Sequence, residues 1–331
     1  MSDQSLATGC VRSVLGDLSP DSLGQTNYHE HLFQVSPLLP GDELTNEALS
    51  AQEAGLLKAS GFDAMVDATP MGLGRNPHAV ARISAERDIA VIATTGRHRE
   101  AHYGDDHWVR GLNETALTEA FVRDVTRSMP GEDGQAPQHK QELFDGTPVR
   151  AGLLKAGIDY WKISPFEHET VSAVAAAHLL TGAPIMIHIE HGTATHEILD
   201  LLEKLSVPSS SVALAHLDRN LDPGLHVSLI ERGAYLGYDG MARAKSHSDH
   251  ALVELTRLVV ERVGATNIVI GGDVARASRY VAYGGMPGLA YLGDQYLPRL
   301  KKEIGDPAVS QILVNNPATW LTWVTPQVPQ N

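Results

Sequence analysis

Short apolar runs recur along the chain at Thr26–Phe33, Phe62–Thr69, Ile89–Gly96, Arg150–Gly157, Pro184–Glu190, Val212–Leu217, Ala234–Tyr238 and Ile268–Asp273. Each spans five to eight residues, the length of a strand buried on both faces. Between them lie amphipathic stretches of helical period. In GTATHEILDLLEKL, which follows the fifth run, Ile198, Leu201, Leu202 and Leu205 recur at spacings of three and four. The stretch HALVELTRLVVERV precedes the eighth run in the same style. Strands that alternate with helices form parallel βαβ units. Eight such units within about 250 residues suit a closed (β/α)8 TIM barrel, an α/β fold whose functional residues gather at the C-terminal ends of the strands. The alternative, an open doubly wound sheet, usually carries a glycine-rich phosphate turn after its first strand. Here His29-Glu30-His31 occupies that place.

The longest stretch without periodicity, from Met129 to Pro148, is rich in Gly, Pro, Gln and charge, and reads as a loop before the fourth strand. Beyond Asp273 come a glycine-rich loop, AYGGMPGLAY, a helical segment, QYLPRLKKEIG, and a closing helix in VNNPATWLTW that is expected to pack on the barrel. No internal repeat or low-complexity tract interrupts this order, so residues 1–331 are expected to form one domain.

Composition narrows the function classes. Hydrophobic residues make up 43% of the chain and charged residues 20%, as in an ordinary soluble enzyme. No run nears the roughly 18–20 apolar residues that span a membrane. The opening MSDQSLATGCVRS lacks the basic-then-apolar layout of a secretory signal. A single cysteine, Cys10, excludes an intramolecular disulfide and a cysteine-rich zinc site. A cytoplasmic location without a membrane partner is the expectation. The formal net charge of −14 argues against nucleic acid, whose phosphates need a basic stripe. A small anionic substrate stays open, because a local basic pocket can sit inside an acidic protein. The 16 histidines direct the search toward metal ligands.

Side chains alternate across a strand, so His29 and His31 share one face while Glu30 points away. Alone, such a pair also occurs as two loop histidines without a role. Other strand ends add His188, His216, Asp273 and Lys155. Imidazole and carboxylate ligands suit zinc and neighbouring divalent metals. Lys155 is the odd member, since a cation repels metals. A lysine held inside a barrel loses its proton more readily and can add CO2, giving an anionic carbamate with two oxygens for two metals. The plainer alternative is a buried stem whose amine reaches water.

The chain resembles the phosphotriesterase-related branch of the amidohydrolase superfamily. The match runs from VRSVLGDLSPDSLGQTNYHEHLF through VRAGLLKAG, SPFEHETVSAVAAAHLLTGAPIMIH, LAHLDRN and GGDVAR to VNNPATWL. The resemblance implies a site for two divalent ions, zinc first, with Mn, Co or Fe as alternatives. His29, His31 and Asp273 would hold one ion and His188 and His216 the other. A CO2-derived carbamate on Lys155 and a hydroxide would bridge them. Barrels of this family often pair, so a homodimer is the assembly to expect.

Two ions about 3.5–4 Å apart bring a shared water close to a neutral pKa and polarise an electrophile beside it. The expected reaction is attack of the bridging hydroxide on a carbonyl or phosphoryl centre. Asp273 would be the catalytic residue that collects the proton and passes it to the leaving oxygen. Substrate is read from three loops. TTGRHREAHYGDDHWV brings Arg97, His98 and Arg99, YDGMARAKSH brings Arg243 and Lys245, and VARASRYVAYGG brings Arg276, Arg279, Tyr280 and Tyr283. His98, Arg243, Lys245, Arg276, Arg279 and Tyr283 are the expected substrate-binding residues, and these cations suggest an anionic substrate. The D-x-A-R…YGGMPG pattern resembles the subgroup acting on phosphorylated sugar lactones, in which Lys245, Arg276 and a tyrosine would grip the phosphate. Arg97 beside His98, and Arg279 within the phosphate loop, depart from that pattern. The alternatives are an esterase or amidase acting on an acylated amino or sulfonic acid, a phosphotriesterase, and, from another class, a non-catalytic binding protein on the same barrel.

Overall fold

The computed structural model describes residues 8–131, 133–134, 143–243 and 245–327. The middle of the loop expected between Met129 and Pro148 lies outside these residues. Eight strands pair in parallel and in sequence order: β1 (Thr26–Glu30), β2 (Ala64–Asp67), β3 (Ala90–Gly96), β4 (Leu153–Ile158), β5 (Ile185–Ile189), β6 (Val212–Ala215), β7 (Tyr235–Tyr238) and β8 (Ile268–Ile270). All eight fall within or beside the expected runs. The first and last meet where the Asp273 N–H donates to the His29 carbonyl at 2.9 Å, closing the TIM barrel.

Helices α1 (Glu47–Ala59), α2 (Pro77–Arg87), α3 (Glu114–Thr126), α4 (Pro165–Thr181), α5 (Thr195–Lys204), α6 (Pro223–Glu231) and α7 (Asp249–Val263) each follow one strand, and α8 (Leu297–Ile304) follows β8. Six of these begin on a side-chain cap, from Asn46, Asn76, Asn113, Ser164, Asp222 and Ser248. At α4, Ser164 and Glu167 bond reciprocally to each other's backbone. The loops that leave the strand ends therefore land on fixed helix starts.

Strand alternation sorts the core into two layers. Leu154, Ile185, Ile187 and Leu214 face the helices, whereas Leu153, Met186, Ala213 and Val269 fill the barrel interior. The N-terminal mouth is plugged by a hairpin (Val11–Ser13 with Gly16–Leu18) and by the closing helix Asn316–Leu321. There the Trp320 indole donates to the Ile185 carbonyl at 3.2 Å and the Trp323 indole to that of Gly152 at 3.1 Å. Arg12 lies over the Trp323 ring at 4.2 Å. With that end packed, polar side chains collect at the opposite, C-terminal mouth. Among the described residues, no helix is long and apolar enough to cross a membrane.

Candidate metal centre and active-site cavity

Inward alternation along β4 places Leu153 in the inner core and Lys155 above it, fully buried. Gly96 makes room for this: at φ 134° it lies so close that a Cβ would fall 1.9 Å from the Lys155 carbonyl oxygen. On β5 the inner Met186 is followed by His188 in the same way. On β1 the simple alternation fails. The register shifts between Asn27 and Glu30, so Tyr28 and His29 both reach Asp239. Glu30 does turn away, accepting from the Asn27 amide and the Val274 N–H, each at 3.0 Å. His31 lies just past the strand. His216 and Asp273 also leave their ladders, with left-handed backbones at φ 64° and 42°. Such conformations cost on the order of 1–3 kcal/mol and collect at functional sites.

Hydrogen bonds behind the histidines fix where their lone pairs lie. Thr69 gives its hydroxyl proton to the Phe33 carbonyl at 2.7 Å, so it accepts from His31 Nδ1–H, also at 2.7 Å. Asp239 accepts from His29 Nδ1–H at 3.2 Å and His216 Nδ1–H at 2.6 Å. Glu190 accepts from His188 Nε2–H at 3.0 Å. Four ring nitrogens remain as bare acceptors: His29 Nε2, His31 Nε2, His188 Nδ1 and His216 Nε2. The first two stand 3.7 and 3.6 Å from Asp273 Oδ1. The last two face each other at 2.8 Å, an approach of two lone pairs that a shared cation would relieve. His29 Nε2 is buried with no hydrogen-bond partner. Such a donor set could hold metal ions, with its imidazoles oriented from behind by carboxylate and hydroxyl groups. His29, His31 and Asp273 are close enough to hold one ion together, as are His29, His216 and Asp239.

Burial pushes Lys155 down to about 8, and its amine donates to the Ala68 carbonyl at 2.7 Å. Asp273 feels burial in the opposite sense, but Arg243 at 2.5 Å and the histidines hold its carboxyl well below the usual range. Arg219 stands 3.5 Å from the same carboxylate. Desolvation keeps His188 and His98 neutral and lowers His102 to about 3. The ligand residues line a cavity of about 410 Å³ that four arginines also line, Arg99, Arg219, Arg243 and Arg276.

The sequence model of the Phosphotriesterase family matches residues 9–321. The chain belongs to the phosphotriesterase family. It is similar to the N-acetyltaurine hydrolase of Danio rerio, 27% identical with 95% of this chain and 98% of that protein covered. It is also similar to the phospho-furanose lactonase of Mycoplasmopsis synoviae, 28% identical over 93% and 90% of the two chains. A lactonase from Listeria monocytogenes superposes with a TM-score of 0.85 at 30% identity, covering 96% of this chain and all of that one. The protein is thus a hydrolase of the phosphotriesterase family, on the TIM barrel its relatives share.

Within this family member, the structure brings together only part of the expected substrate set. His98, Arg243 and Arg276 line the cavity. Lys245 is exposed and lies outside the lining. Arg279 lines a separate small crevice with Val274 and Tyr291. The Tyr283 hydroxyl bonds to Asn46 backbone groups at 3.1 and 2.9 Å and to Ser50 at 2.9 Å, pinning its loop to the start of α1. Arg97 is also structural: its guanidinium lies on the Phe166 ring at 3.5 Å and donates to Thr170 at 2.7 Å. Sequence reasoning missed Thr69, Glu190, Arg219 and Asp239. Their common signal was position, since each sits within four residues of a strand end.

Proposed function

We propose that the protein hydrolyses a small anionic lactone, a phosphorylated sugar lactone above all. The observation that carries this is the composition of one cavity: four imidazole lone pairs and Asp273 beside four arginines. His29, His31 and Asp273 would hold one divalent ion, and His188 and His216 a second. Lys155 would join both after its neutral amine adds CO2, forming an N–C bond and releasing a proton. Such an ion pair supplies a nucleophilic water at neutral pH and polarises the carbonyl. Asp273 then serves as a transient proton carrier. The arginines that keep it ionised make it a weak base, so it gives the proton on to the leaving alkoxide, a far stronger one. Arg243 is engaged with Asp273, whereas Arg276 is half exposed and only 3.9 Å from Asp42, leaving it the freer cation for a substrate anion.

The likeness to N-acetyltaurine hydrolases supports a second reading, cleavage of an acylated amino or sulfonic acid, because a sulfonate would meet the same arginines. A kinetic panel of phosphorylated and unphosphorylated aldonolactones, together with N-acetyltaurine, separates the two on protein loaded with zinc or manganese. Turnover that requires the phosphate supports the lactonase. Turnover of N-acetyltaurine alone supports the amidase and refutes the lactonase.

A further inference from the structure

His98 and His102, on the cavity wall that follows β3, differ from the ligand histidines in where their protons sit. The His98 ring accepts the Arg99 N–H at Nδ1, 2.8 Å away, so its own proton is on Nε2. His102 Nδ1 lies 2.9 Å from the Ser36 hydroxyl, which already accepts the Leu38 N–H at 3.2 Å. Directing the Ser36 proton at Nδ1 satisfies all three groups and leaves the His102 proton on Nε2 as well. The two rings are 3.8 Å apart, and His98 is 4.5 Å from the ring of His188. Both are buried, and both line the cavity. Neither Nε2 has a hydrogen-bond partner among the described residues. His188 is the reverse case: its Nε2–H is claimed by Glu190, and it turns a lone pair inward.

We infer that His98 and His102 form a pair of uncharged N–H donors that read a hydroxyl or carbonyl oxygen on the carbon next to the reacting centre. The pair selects oxygen-bearing acyl groups over plain alkyl ones. The inference rests on the proposed function through one further assumption, that the reacting carbonyl sits at the ion His188 and His216 would hold, but not on the substrate being a lactone or carrying phosphate. An uncharged donor pair suits a neutral acceptor and leaves an anionic group to the arginines. An alkyl group in its place would leave two enclosed N–H groups without acceptors, which discriminates strongly against it. Backbone anchoring keeps the donors aimed, since the His98 N–H donates to Tyr103 Oη at 2.8 Å and that hydroxyl to the Met71 carbonyl at 2.9 Å.

The test compares γ-butyrolactone with its α-hydroxy derivative, and N-acetyltaurine with N-glycolyltaurine, on metal-loaded protein. Within whichever pair is hydrolysed, kcat/KM should favour the hydroxylated member by roughly ten- to a hundredfold. His98→Leu, and separately His102→Leu, should bring that ratio toward one, mainly through the hydroxylated member. His98→Gln, whose amide still donates, should retain more of it. Wild-type protein with no preference, or a ratio unchanged in both leucine variants, overturns the inference. Nitrogen NMR of labelled histidines gives a readout apart from turnover: a lone pair on His98 Nδ1 supports the pair, and a proton there refutes it. If neither substrate pair is hydrolysed, the donor pair stands or falls on that spectrum, while the proposed function is decided separately by the phosphorylated aldonolactone panel.

Discussion

Asp239 offers the sharpest test of how the metal centre is built. Its two oxygens accept from His216 at 2.6 Å and His29 at 3.2 Å, and Tyr28 donates to it as well, so one buried carboxylate orients two imidazoles. Asp239→Asn keeps the shape but replaces one oxygen with an NH2 donor. Whichever way the amide turns, one imidazole N–H faces a donor and must tilt or change tautomer. Loss of such a partner weakens metal binding about 10- to 100-fold, or about 1.4–2.7 kcal/mol. Titrating apo-protein with Zn2+ against a chromophoric chelator should show that loss, with circular dichroism reporting an unchanged fold. A folded variant that binds Zn2+ as tightly as wild type would sink the claim that Asp239 positions the ligands.

Three other outcomes are expected. Asp273→Asn should abolish turnover, with metal still detected by elemental analysis; substantial activity would contradict its proton-carrying role. Lys155→Met should lower the metal content, and reconstitution of wild-type protein should quicken with added bicarbonate. Metal uptake indifferent to both changes would leave the carbamate without support. His226 is buried with Nδ1 2.5 Å from the Tyr238 hydroxyl and Nε2 2.9 Å from the Asn220 carbonyl, and burial lowers its pKa from 6.5 to about 4. The unfolded chain binds the proton more readily. The neutral ring's contribution is therefore whole above pH 6.5 and is lost as the pH falls toward 4, by about 3 kcal/mol. Urea unfolding at pH 7 and pH 4.5 should show a smaller pH effect in His226→Gln than in wild type, and an equal effect would remove His226 from the account.

The barrel was legible because each strand is a continuous apolar run between amphipathic helices, and apolar runs do not depend on distant contacts. The runs overshoot at their C-terminal ends for a physical reason. His31, His216 and Asp273 lie past the ends of their strands, and two of them adopt left-handed backbone that sequence period cannot signal. The six residues proposed as ligands were readable as residue types at strand ends. Their orienting partners were not, since Thr69 and Asp239 serve histidines 38 and 210 positions away in the chain. Loop cations were the least legible group. Lys245 and Arg279 have the right charge, but whether a loop arginine turns toward the cavity is settled by packing around it.

Arg97 bears on how this enzyme could change its substrate. Its guanidinium is wedged beneath α4 against Phe166, Thr170 and Glu169, so the wall bearing His98 and His102 is tied to the helical layer. Variation there disturbs folding as well as selectivity, and most substitutions would be purged before they could be tried. The arms after β7 and β8, by contrast, present cations to solvent, Lys245 and Arg276. Laboratory evolution toward a new acid group should therefore accumulate changes in those two arms first, with the β3 wall inherited nearly intact.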